Sequence, residues 1–179
     1  MLNSQVTAVK GFFKRLPDLQ SASEYVTEIA VARNVKRIVV SDDPTLSEFS
    51  AAIVRKGLIE VTSPITLSRE DFFASLKIAE IGVSSVDLAV AETGTLIIST
   101  SDESNRLVTA LPEVHVAIVP RSKLIPSLAE ARSYLSQETR SNRAVTLSLI
   151  SSSSRTSDIG DMVILGVHGP KELHVLLLG

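Results

Sequence analysis

The sequence of 179 residues contains no cysteine and no tryptophan, and aromatic residues make up only 4% of it. The absence of cysteine excludes disulfide bonds, cysteine-ligated zinc and an iron–sulfur cluster held by this chain's own thiolates. It also favours a cytoplasmic protein, since disulfides are a feature of oxidising compartments. The shortage of aromatic side chains argues against a platform on which nucleic-acid bases stack.

Long apolar runs and clusters of basic residues are also missing. The longest apolar segments, such as Leu173 to Leu178, fall far short of the roughly 20 residues that a membrane-spanning helix needs. The segment Met1 to Val6 lacks the basic start and the apolar core of a signal peptide. The net charge is −2, the isoelectric point is about 5.9, and the basic residues are dispersed. We therefore predict neither nucleic-acid binding nor membrane insertion.

Several catalytic motifs are absent as well. The sequence has no Walker loop and no Gly-x-Gly-x-x-Gly, so nucleotide triphosphates and dinucleotides lack their usual binding loops. It also has no Gly-x-Ser-x-Gly elbow that would present a nucleophilic serine. The three histidines do not form an i, i+4 pair on a helix, and no carboxylate accompanies them at zinc-site spacing. The sequence therefore predicts no metal site.

Apolar β-branched runs alternate with helical patterns along most of the chain, which is typical of an α/β domain. Hydrophobic residues make up 44% of the chain, enough to bury a core without a metal or a disulfide. Residues 1–20 are predicted to form an N-terminal helical segment with Val6, Val9 and Phe13 on one face. Residues 21–179 are predicted to form a single α/β domain.

The segment Glu92-Thr93-Gly94-Thr95 places a carboxylate between two apolar, β-branched segments, 86–91 and 96–98. Such segments are typical of strands that are covered on both faces. Because removing a carboxylate from water is costly, we expect Glu92 to have a cationic or hydrogen-bonding partner. Gly94 permits a tight turn and the close approach of a ligand. The alternative is a capped turn in which Glu92 forms an ordinary ion pair, and the residues alone leave both interpretations open.

A run of serines, Ser151 to Ser154, leads into Arg155 and Thr156 after an apolar strand. The pattern predicts a short helix beyond this loop. Hydroxyl groups, the backbone N–H groups of a helix start and one arginine together suit an anion. A charge-assisted hydrogen bond from Arg155 would contribute roughly 1.5–3 kcal/mol. The alternative is a polar loop with a solvated arginine.

The third segment is Gly166-Val167-His168-Gly169-Pro170. Two glycines and a proline around one histidine fix a specific backbone path. His168 can act there as a hydrogen-bond donor, a proton shuttle or a charge partner of Glu92, or it can simply hydrogen-bond the loop. We interpret His115 and His174, which lie inside predicted strands, as structural histidines.

Three sequence blocks follow one another from about residue 80 onward. They are Ile81-Gly82-Val83-Ser84 leading to Ala91-Glu92-Thr93-Gly94-Thr95, then Arg106 with Leu111-Pro112 and His115-Val116, and finally Ser154-Arg155-Thr156-Ser157-Asp158-Ile159 continuing through Gly166-Val167-His168-Gly169-Pro170 to Leu173-His174-Val175. In order and spacing they resemble the LUD domain family, in particular its LutC/YkgG branch of lactate utilization proteins. The sequence departs from that pattern at Ser152-Ser153, where Gly-Pro is usual, and at Gly160, where an acid is usual.

The resemblance implies a three-layer α/β/α fold like that of the glucosamine-6-phosphate deaminase, ribose-5-phosphate isomerase and CoA-transferase superfamily. It implies a non-cluster component of a system that oxidises L-lactate to pyruvate. The expected partners are lactate-utilization subunits that carry iron–sulfur clusters, together with a small anionic ligand. No cofactor is expected on this chain, and homo-oligomerisation is left open.

The predicted site lies where the three segments converge at the ends of strands, because open α/β sheets usually bind ligands at the carboxyl ends of their strands. Arg155 and Arg106 would hold the anion of the ligand, and Glu92 and His168 would be polar or acid–base partners. The predicted ligand-binding residues are Glu92, Thr93, Gly94, Thr95, Arg106, Ser154, Arg155, Thr156, His168 and Gly169.

Two other functions remain open at this point. Glu92-Thr93-Gly94 resembles the placement of the nucleophilic glutamate of CoA-transferases, so a stand-alone enzyme of the CoA-transferase or sugar-phosphate isomerase type is the main alternative. Glu92 would be its catalytic residue. The third interpretation is a scaffold without a ligand, whose loops contact partner proteins only.

Overall fold

A six-stranded parallel sheet forms the centre of the fold in the computed structural model, which describes residues 1–140, 145–159 and 162–179. The helices are α1 (Leu2–Ala8), α2 (Leu19–Ala32), α3 (Ser47–Val54), α4 (Arg69–Ile78), α5 (Glu103–Val108) and α6 (Leu128–Arg140). The strands are β1 (Phe12–Leu16), β2 (Arg37–Val40), β3 (Glu60–Thr62), β4 (Ile81–Ser85), β5 (Leu88–Val90), β6 (Thr95–Thr100), β7 (Val114–Pro120), β8 (Leu124–Ile125), β9 (Thr146–Ile150), β10 (Arg155–Ile159), β11 (Met162–Leu165) and β12 (Glu172–Leu178).

The parallel sheet has the strand order β1-β12-β7-β4-β2-β3, and every neighbouring pair in it is parallel. Two of its interior strands, β7 and β12, are almost entirely buried. They are also rich in valine, leucine and isoleucine, as parallel strands covered on both faces usually are. Val114 lies opposite Glu172 and His115 lies opposite Leu173. The amino ends of β7 and β12 are therefore level with each other.

Helices pack on both faces of this sheet. On one face, Phe49 and Ile53 of α3 belong to a core that includes Ile38 of β2. On the other face, Phe72 of α4 packs in a cluster with Val39. Burial of helical apolar stripes against a sheet is what holds layered α/β domains together. The predicted α/β class and three-layer arrangement are confirmed.

A second, four-stranded sheet covers the rest of the face on which α4 and α5 lie. Its strand order is β8-β5-β6-β9, and only the β5–β8 pair is parallel. Leu96 and Ile98 on one side of this sheet pack against the parallel sheet, whereas Ile97 on the other side packs with Ala131 of α6. The two segments that flank Glu92 are therefore a hairpin of the smaller sheet, and both of its faces are covered as predicted.

Several helices begin or end at residues whose type and spacing favour helix ends, namely a serine or aspartate before a helical pattern and an asparagine after one. Ser68 caps α4, Asp43 caps the 3₁₀ turn that leads into α3, and Asn34 has a left-handed backbone (φ 56°) just after α2. These are the positions where short polar side chains satisfy free backbone groups. Ser21 and Glu24 have the spacing of a capping box, which predicts a cap at Ser21, but Ser21 does not cap α2. Asp18 accepts a hydrogen bond from the backbone N–H of Ser21 at 2.8 Å, so the helix begins before Ser21.

Two local predictions are wrong. Residues 1–20 do not form one helix, because α1 ends at Ala8 and residues 12–16 form edge strand β1, which pairs with β12. The segment from Arg155 onward is strand β10, paired with β11, and not the start of a helix. β1 pairs with a strand far along the chain and β10 with the next strand, and in both cases strand pairing outweighs the local helical signal. Gly160, one of the departures from the family pattern, lies outside the described residues.

Candidate functional site

A pocket of about 550 Å³ opens between the parallel sheet and the second sheet. Arg106 and Thr109 at the end of α5 line one side, and β9 with the loop that follows it (148–154) lines another. Arg155 and the turn 168–170 complete the lining. Small-molecule sites usually have volumes of roughly 300–1,000 Å³, so the pocket is large enough for a ligand.

The lining of the pocket is positively charged. Two guanidinium groups, those of Arg106 and Arg155, belong to it, and none of the described residues that line it is aspartate or glutamate. Hydroxyl side chains supply further hydrogen-bonding groups, since Ser151 to Ser154 all contribute. Such a combination suits a carboxylate or a phosphate, because arginine forks and hydroxyls both donate to anionic oxygens.

The two arginines differ in their restraints. Arg106 forms an ion pair with Glu103 one turn earlier on α5 (3.3 Å), and its side chain remains 42% exposed. Arg155 donates a hydrogen bond to the backbone carbonyl of Val9, which ties the β10–β11 hairpin to the end of α1. A carbonyl carries no formal negative charge, so this bond does not neutralise the charge of Arg155. A guanidinium has five N–H donors, and the bond to Val9 uses one of them.

Ser154 organises the turn opposite Arg106. Its backbone N–H donates to the carbonyl of Pro170 (2.8 Å), and its carbonyl accepts from the N–H of Gly166 (3.0 Å). Its hydroxyl accepts from the backbone N–H of His168 (3.2 Å). A Cβ at Gly169 would lie 3.3 Å from the Cβ of Ser154, so the two segments are in close contact there. The predicted convergence of the serine–arginine segment with the histidine–glycine–proline turn is present.

Glu92 does not share this pocket. The residue is exposed, and its Oε1 accepts a hydrogen bond from the backbone N–H of Leu128 at 2.6 Å. Leu128 is the first residue of α6, so the carboxylate caps that helix from a neighbouring strand end. The hydrogen-bonding partner expected for Glu92 is present, but it is a helix N-terminus at the surface and not a group of the pocket. The interpretation as a capped turn fits the structure better.

Gly94, Thr93 and Thr95, which follow Glu92, also have structural contacts outside the pocket. Gly94 has φ 71°, and a Cβ there would lie 2.9 Å from the Cβ of Gln5, so this glycine allows α1 to approach rather than a ligand. Thr93 donates to Thr95 (2.8 Å), and Thr95 shares a hydrogen bond with Ser151 (2.8 Å). Ser151 lines the pocket. The threonines therefore reach the site through one serine and do not line it.

Thr156 is also outside the lining, although Arg155 belongs to it. Thr156 pairs with Ile164 across the β10–β11 hairpin. Successive residues of a strand point to opposite faces, so a strand that directs Arg155 toward the pocket directs Thr156 away from it.

Sequence analysis missed His115 as a site residue. His115 and Leu173 are the most deeply buried members of the lining, each 1% exposed, and they lie side by side on β7 and β12. The Nε2 atom of His115 is 2.9 Å from the hydroxyl of Ser84, and its Nδ1 atom has no hydrogen-bonding partner among the described residues. Burial lowers the pKa of His115 to about 4, with a further contribution from His174, so the ring is neutral at pH 7. In the sequence, the position of His115 within an apolar strand does not reveal that the residue lines a pocket.

His174, by contrast, is fully bonded within the core. Its Nδ1 atom is 3.0 Å from the hydroxyl of Tyr25, its Nε2 atom is 3.2 Å from a carboxylate oxygen of Glu172, and Phe12 stacks on its ring at 4.3 Å. Glu172 is in turn held by Arg33 at 2.7 Å. This network joins β1, β12 and α2. The structural interpretation of His174 fits these contacts.

The pocket lies at the amino ends of β7 and β12, since His115 and Leu173 are the second residues of those strands. The sequence analysis expected strand carboxyl ends, and for the pocket this expectation is wrong. A smaller pocket of about 90 Å³ does lie at the carboxyl ends of β2 and β4, lined among others by Asp43, Ser84 and Asp87. The larger pocket arises instead because the loop after β9 and the turn 168–170 fold over the amino ends.

The described residues also bear on metal binding and on membrane insertion. They contain no group of three or more histidine, cysteine, aspartate or glutamate side chains arranged to hold a metal ion. None of the helices in the described ranges has the length and apolar character required to cross a membrane.

Comparison with known proteins assigns the chain to a family. A profile described as LUD domain matches residues 1–178. A protein named Lactate utilization protein C from Geobacillus thermodenitrificans is 28% identical over 141 residues, which cover 74% of this chain and 58% of that protein. Another of the same name from Halalkalibacterium halodurans is 27% identical over 95% of this chain and 74% of its own length. The chain thus spans little more than half the length of the first of these relatives.

A solved structure supports the fold. The crystal structure of a DUF162 family protein from Deinococcus radiodurans superposes with a TM-score of 0.64, covering 99% of this chain and 94% of the other. The two sequences are 20% identical, so the likeness concerns the fold alone. The match along almost the whole sequence, supported by this shared architecture, shows that the chain belongs to the LUD domain family.

Proposed function

We propose that this protein acts as a lactate utilization protein C-like component of a system that oxidises L-lactate to pyruvate, and that it binds a small carboxylate in the pocket at the amino ends of β7 and β12. The relatives named Lactate utilization protein C support the first part. The lining of the pocket supports the second part. A cytoplasmic location is part of the same proposal.

One observation carries the ligand assignment. Arg106 and Arg155 both line the pocket, and none of the described lining residues is acidic, since the ion-pair partner of Arg106, Glu103, lies outside the lining. Two positive charges that share a concave surface raise the local concentration of anions and attract them at long range. Serine hydroxyls on the opposite side can complete the hydrogen bonds of a carboxylate, so that its desolvation is offset.

The partners of this component are proposed from the family and from the composition. The chain contains no cysteine, so iron–sulfur clusters for electron transfer would have to reside on partner subunits. Oxidation of a 2-hydroxy acid removes two electrons, which the clusters of these partners would accept. The component would therefore bind the carboxylate while electrons pass to the partners.

The alternative of a CoA-transferase or isomerase that uses Glu92 has less support. A nucleophilic or basic glutamate needs access to the substrate, and Glu92 is exposed at the surface with its carboxylate engaged by the first turn of α6. It is also absent from the lining of the pocket that holds the two arginines. The geometry therefore favours the binding component over the stand-alone enzyme.

Isothermal titration calorimetry with pyruvate and L-lactate tests the proposal. Arg155→Ala and Arg106→Ala should each weaken binding by about tenfold to a hundredfold, because each removes a charge-assisted hydrogen bond. Arg132→Ala on the exposed side of α6 makes the same change in net charge outside the pocket and should have no effect. Unchanged affinity in both pocket variants would refute the assignment.

A further inference from the structure

Resting on the proposed function, we infer that the buried Ser84–His115 pair recognises the oxygen next to the carboxylate of the ligand, and so selects 2-oxo and 2-hydroxy acids over simple carboxylates. The arginines of the pocket would hold the carboxylate in every case. His115 would supply the hydrogen bond that distinguishes the classes. His115 is thus a specificity-determining residue rather than a structural histidine.

The first argument is the state of His115. It is 1% exposed and lines the pocket, and its Nδ1 atom lacks a partner within the described part of the chain. Buried polar groups in native proteins are nearly always hydrogen-bonded, and an exception calls for an explanation. A ligand bound in the pocket would explain the unpaired Nδ1 atom, because one of its atoms could form the missing hydrogen bond.

The second argument is the chemistry of the pair. Ser84, also 1% exposed, is joined to Nε2 of His115 at 2.9 Å, and either atom can donate in this bond. When the hydroxyl of Ser84 donates, Nδ1 carries the proton and is a donor. When Nε2–H donates to Ser84, Nδ1 is an acceptor. The ring therefore offers Nδ1 as a donor to a keto oxygen or as an acceptor from a hydroxyl group, without change of charge.

This adaptability matches one class of ligand. A 2-oxo acid presents a carbonyl acceptor beside its carboxylate, and a 2-hydroxy acid presents a hydroxyl donor at the same place. A charged imidazolium could only donate, and an arginine could only donate. A neutral histidine backed by a serine hydroxyl can bond to both members of the pair, whereas a carboxylic acid without that oxygen would leave Nδ1 unpaired.

The contrast with His174 supports the assignment. Both nitrogens of His174 are bonded, to Tyr25 and Glu172, as expected of a histidine that holds elements together. His115 is bonded on one side only. A residue kept solely for packing would gain stability from an apolar replacement, because a buried unpaired nitrogen is unfavourable. An imidazole at this place is therefore better explained by a use for its second nitrogen than by packing alone.

Two matched substitutions separate recognition from packing. The side-chain amide atoms of asparagine are the same number of bonds from Cβ as the Nδ1 atom of histidine. Those of glutamine are the same number of bonds from Cβ as the Nε2 atom. His115→Asn therefore keeps a polar atom at the place of Nδ1, which would face the ligand. His115→Gln keeps a polar atom at the place of Nε2, which bonds Ser84. His174→Gln serves as the control for the loss of a buried histidine outside the pocket.

The experiment compares pyruvate, L-lactate and propionate, three carboxylates of three carbons that differ in the oxygen next to the carboxylate. With the native chain, calorimetry should show pyruvate or lactate binding at least about tenfold tighter than propionate, the factor expected for one hydrogen bond to a buried group. His115→Gln should remove this preference, and His115→Asn and His174→Gln should keep it.

A spectroscopic readout accompanies the calorimetry. In ¹⁵N-labelled protein, saturation with pyruvate should drive His115 to the tautomer protonated on Nδ1, which the ring ¹⁵N shifts distinguish from the other tautomer. A purely structural histidine would keep its tautomer on ligand binding. Chemical shifts of the backbone in His115→Gln confirm that the variant is folded, so a lost preference cannot reflect unfolding.

The outcomes are distinct. Equal affinity for the three acids, with the His115 signals unmoved, overturns the role of His115 while the proposed carboxylate site stands. A preference that survives in His115→Gln and disappears in His115→Asn also overturns it, because the atom facing Ser84 would then matter. If none of the three acids binds, the proposed function fails and this inference fails with it.

Discussion

At the scale of single residues, Glu92 shows how a strong sequence signal can have a structural cause. An acid followed by a turn with a glycine resembles a catalytic placement, yet the carboxylate accepts the first N–H of α6. Helix N-termini attract carboxylates because several N–H groups there have no intrahelical partner. The surrounding sequence cannot reveal this partner, since Leu128 lies 36 residues further along the chain.

Replacement of Glu92 by alanine should therefore lower the free energy of unfolding by about 1 kcal/mol, the usual value of a lost N-terminal cap. Urea unfolding measures the change. Glu92→Gln should cost less, because its amide oxygen can still accept the bond from Leu128. Pyruvate affinity should stay within twofold (roughly 0.4 kcal/mol) in both variants, and a large loss of affinity would revive a role for Glu92 in the site.

The buried imidazole of His115 predicts a loss of stability in mild acid. Burial lowers its pKa from 6.5 to about 4, so the unfolded chain takes up a proton in this range that the folded chain does not. The free energy of unfolding should fall as the pH drops through that window, by up to about 3 kcal/mol. Urea unfolding at a series of pH values gives the slope.

His115→Gln provides the control for that slope, because glutamine does not titrate. Its stability should decline less over the same range, with the remaining decline due to His174, whose pKa burial also lowers. Equal slopes for the native chain and for His115→Gln would mean that His115 has an ordinary pKa and is not buried.

At the scale of elements, the position of α5 depends on Gly82 of β4. A Cβ at Gly82 would lie 2.0 Å from the backbone oxygen of Val108, the last residue of α5. The helix can therefore rest directly on the strand only where the side chain is missing. Since α5 carries Arg106 and Thr109 follows it, this contact also sets one side of the pocket.

Gly82→Ala should displace α5 and destabilise the protein by roughly 1–3 kcal/mol, as overpacking in a close contact usually does. Pyruvate binding should weaken as well, because Arg106 moves with the helix. Gly57→Ala is the control, since its position (φ 65°) has no atom within 4 Å of the added Cβ. The free energy of unfolding of that variant should fall by about 1 kcal/mol, because alanine is strained in a left-handed backbone. Its affinity for pyruvate should not change. Normal binding by Gly82→Ala would show that α5 does not set the site.

Most of the elements themselves were predictable, and their partners were not. Apolar β-branched runs identified β7 and β12, and capping residues such as Ser68 and Asp43 identified helix starts, because these signals are local. The β10–β11 hairpin was missed because its pairing is not encoded in the serine run. Within the site, Arg106 and Arg155 were found from charge and family pattern. His115 was missed, since the state of its second nitrogen depends on Ser84 and on the fold around it.

At the scale of the whole molecule, the N-terminal residues belong to the core. Leu2 and Val6 of α1 are 4% and 0% exposed, and β1 pairs with β12 along five positions. The sequence suggested a helical segment docked on the domain. The contacts instead make residues 1–16 one side of the sheet and of the core beneath it.

A chain that begins at residue 18 should therefore lose its cooperative thermal transition, because β12 would become an exposed edge and Leu2 and Val6 would leave the core empty. Circular dichroism during heating tests this. The matched variant replaces Lys14 and Arg15, two exposed residues of β1, by serine and should unfold cooperatively. If the shortened chain also unfolds cooperatively, residues 1–17 are a separate appendage after all.

The place of β12 between β1 and β7 also governs when the protein can fold. The Nε–H group of Arg15 donates a hydrogen bond to the backbone oxygen of Gly179, 164 residues later. Strand β12 pairs with β1 on one side and with β7 on the other. Until the ribosome has synthesised residues 172–178, β1 and β7 lack the strand that pairs with both of them. Such long-range closure is slow. Nascent chains should accordingly stay bound to chaperones until β12 has been synthesised and has left the ribosome, and synonymous codon changes that slow elongation before residue 172 should have little effect on the yield of native protein.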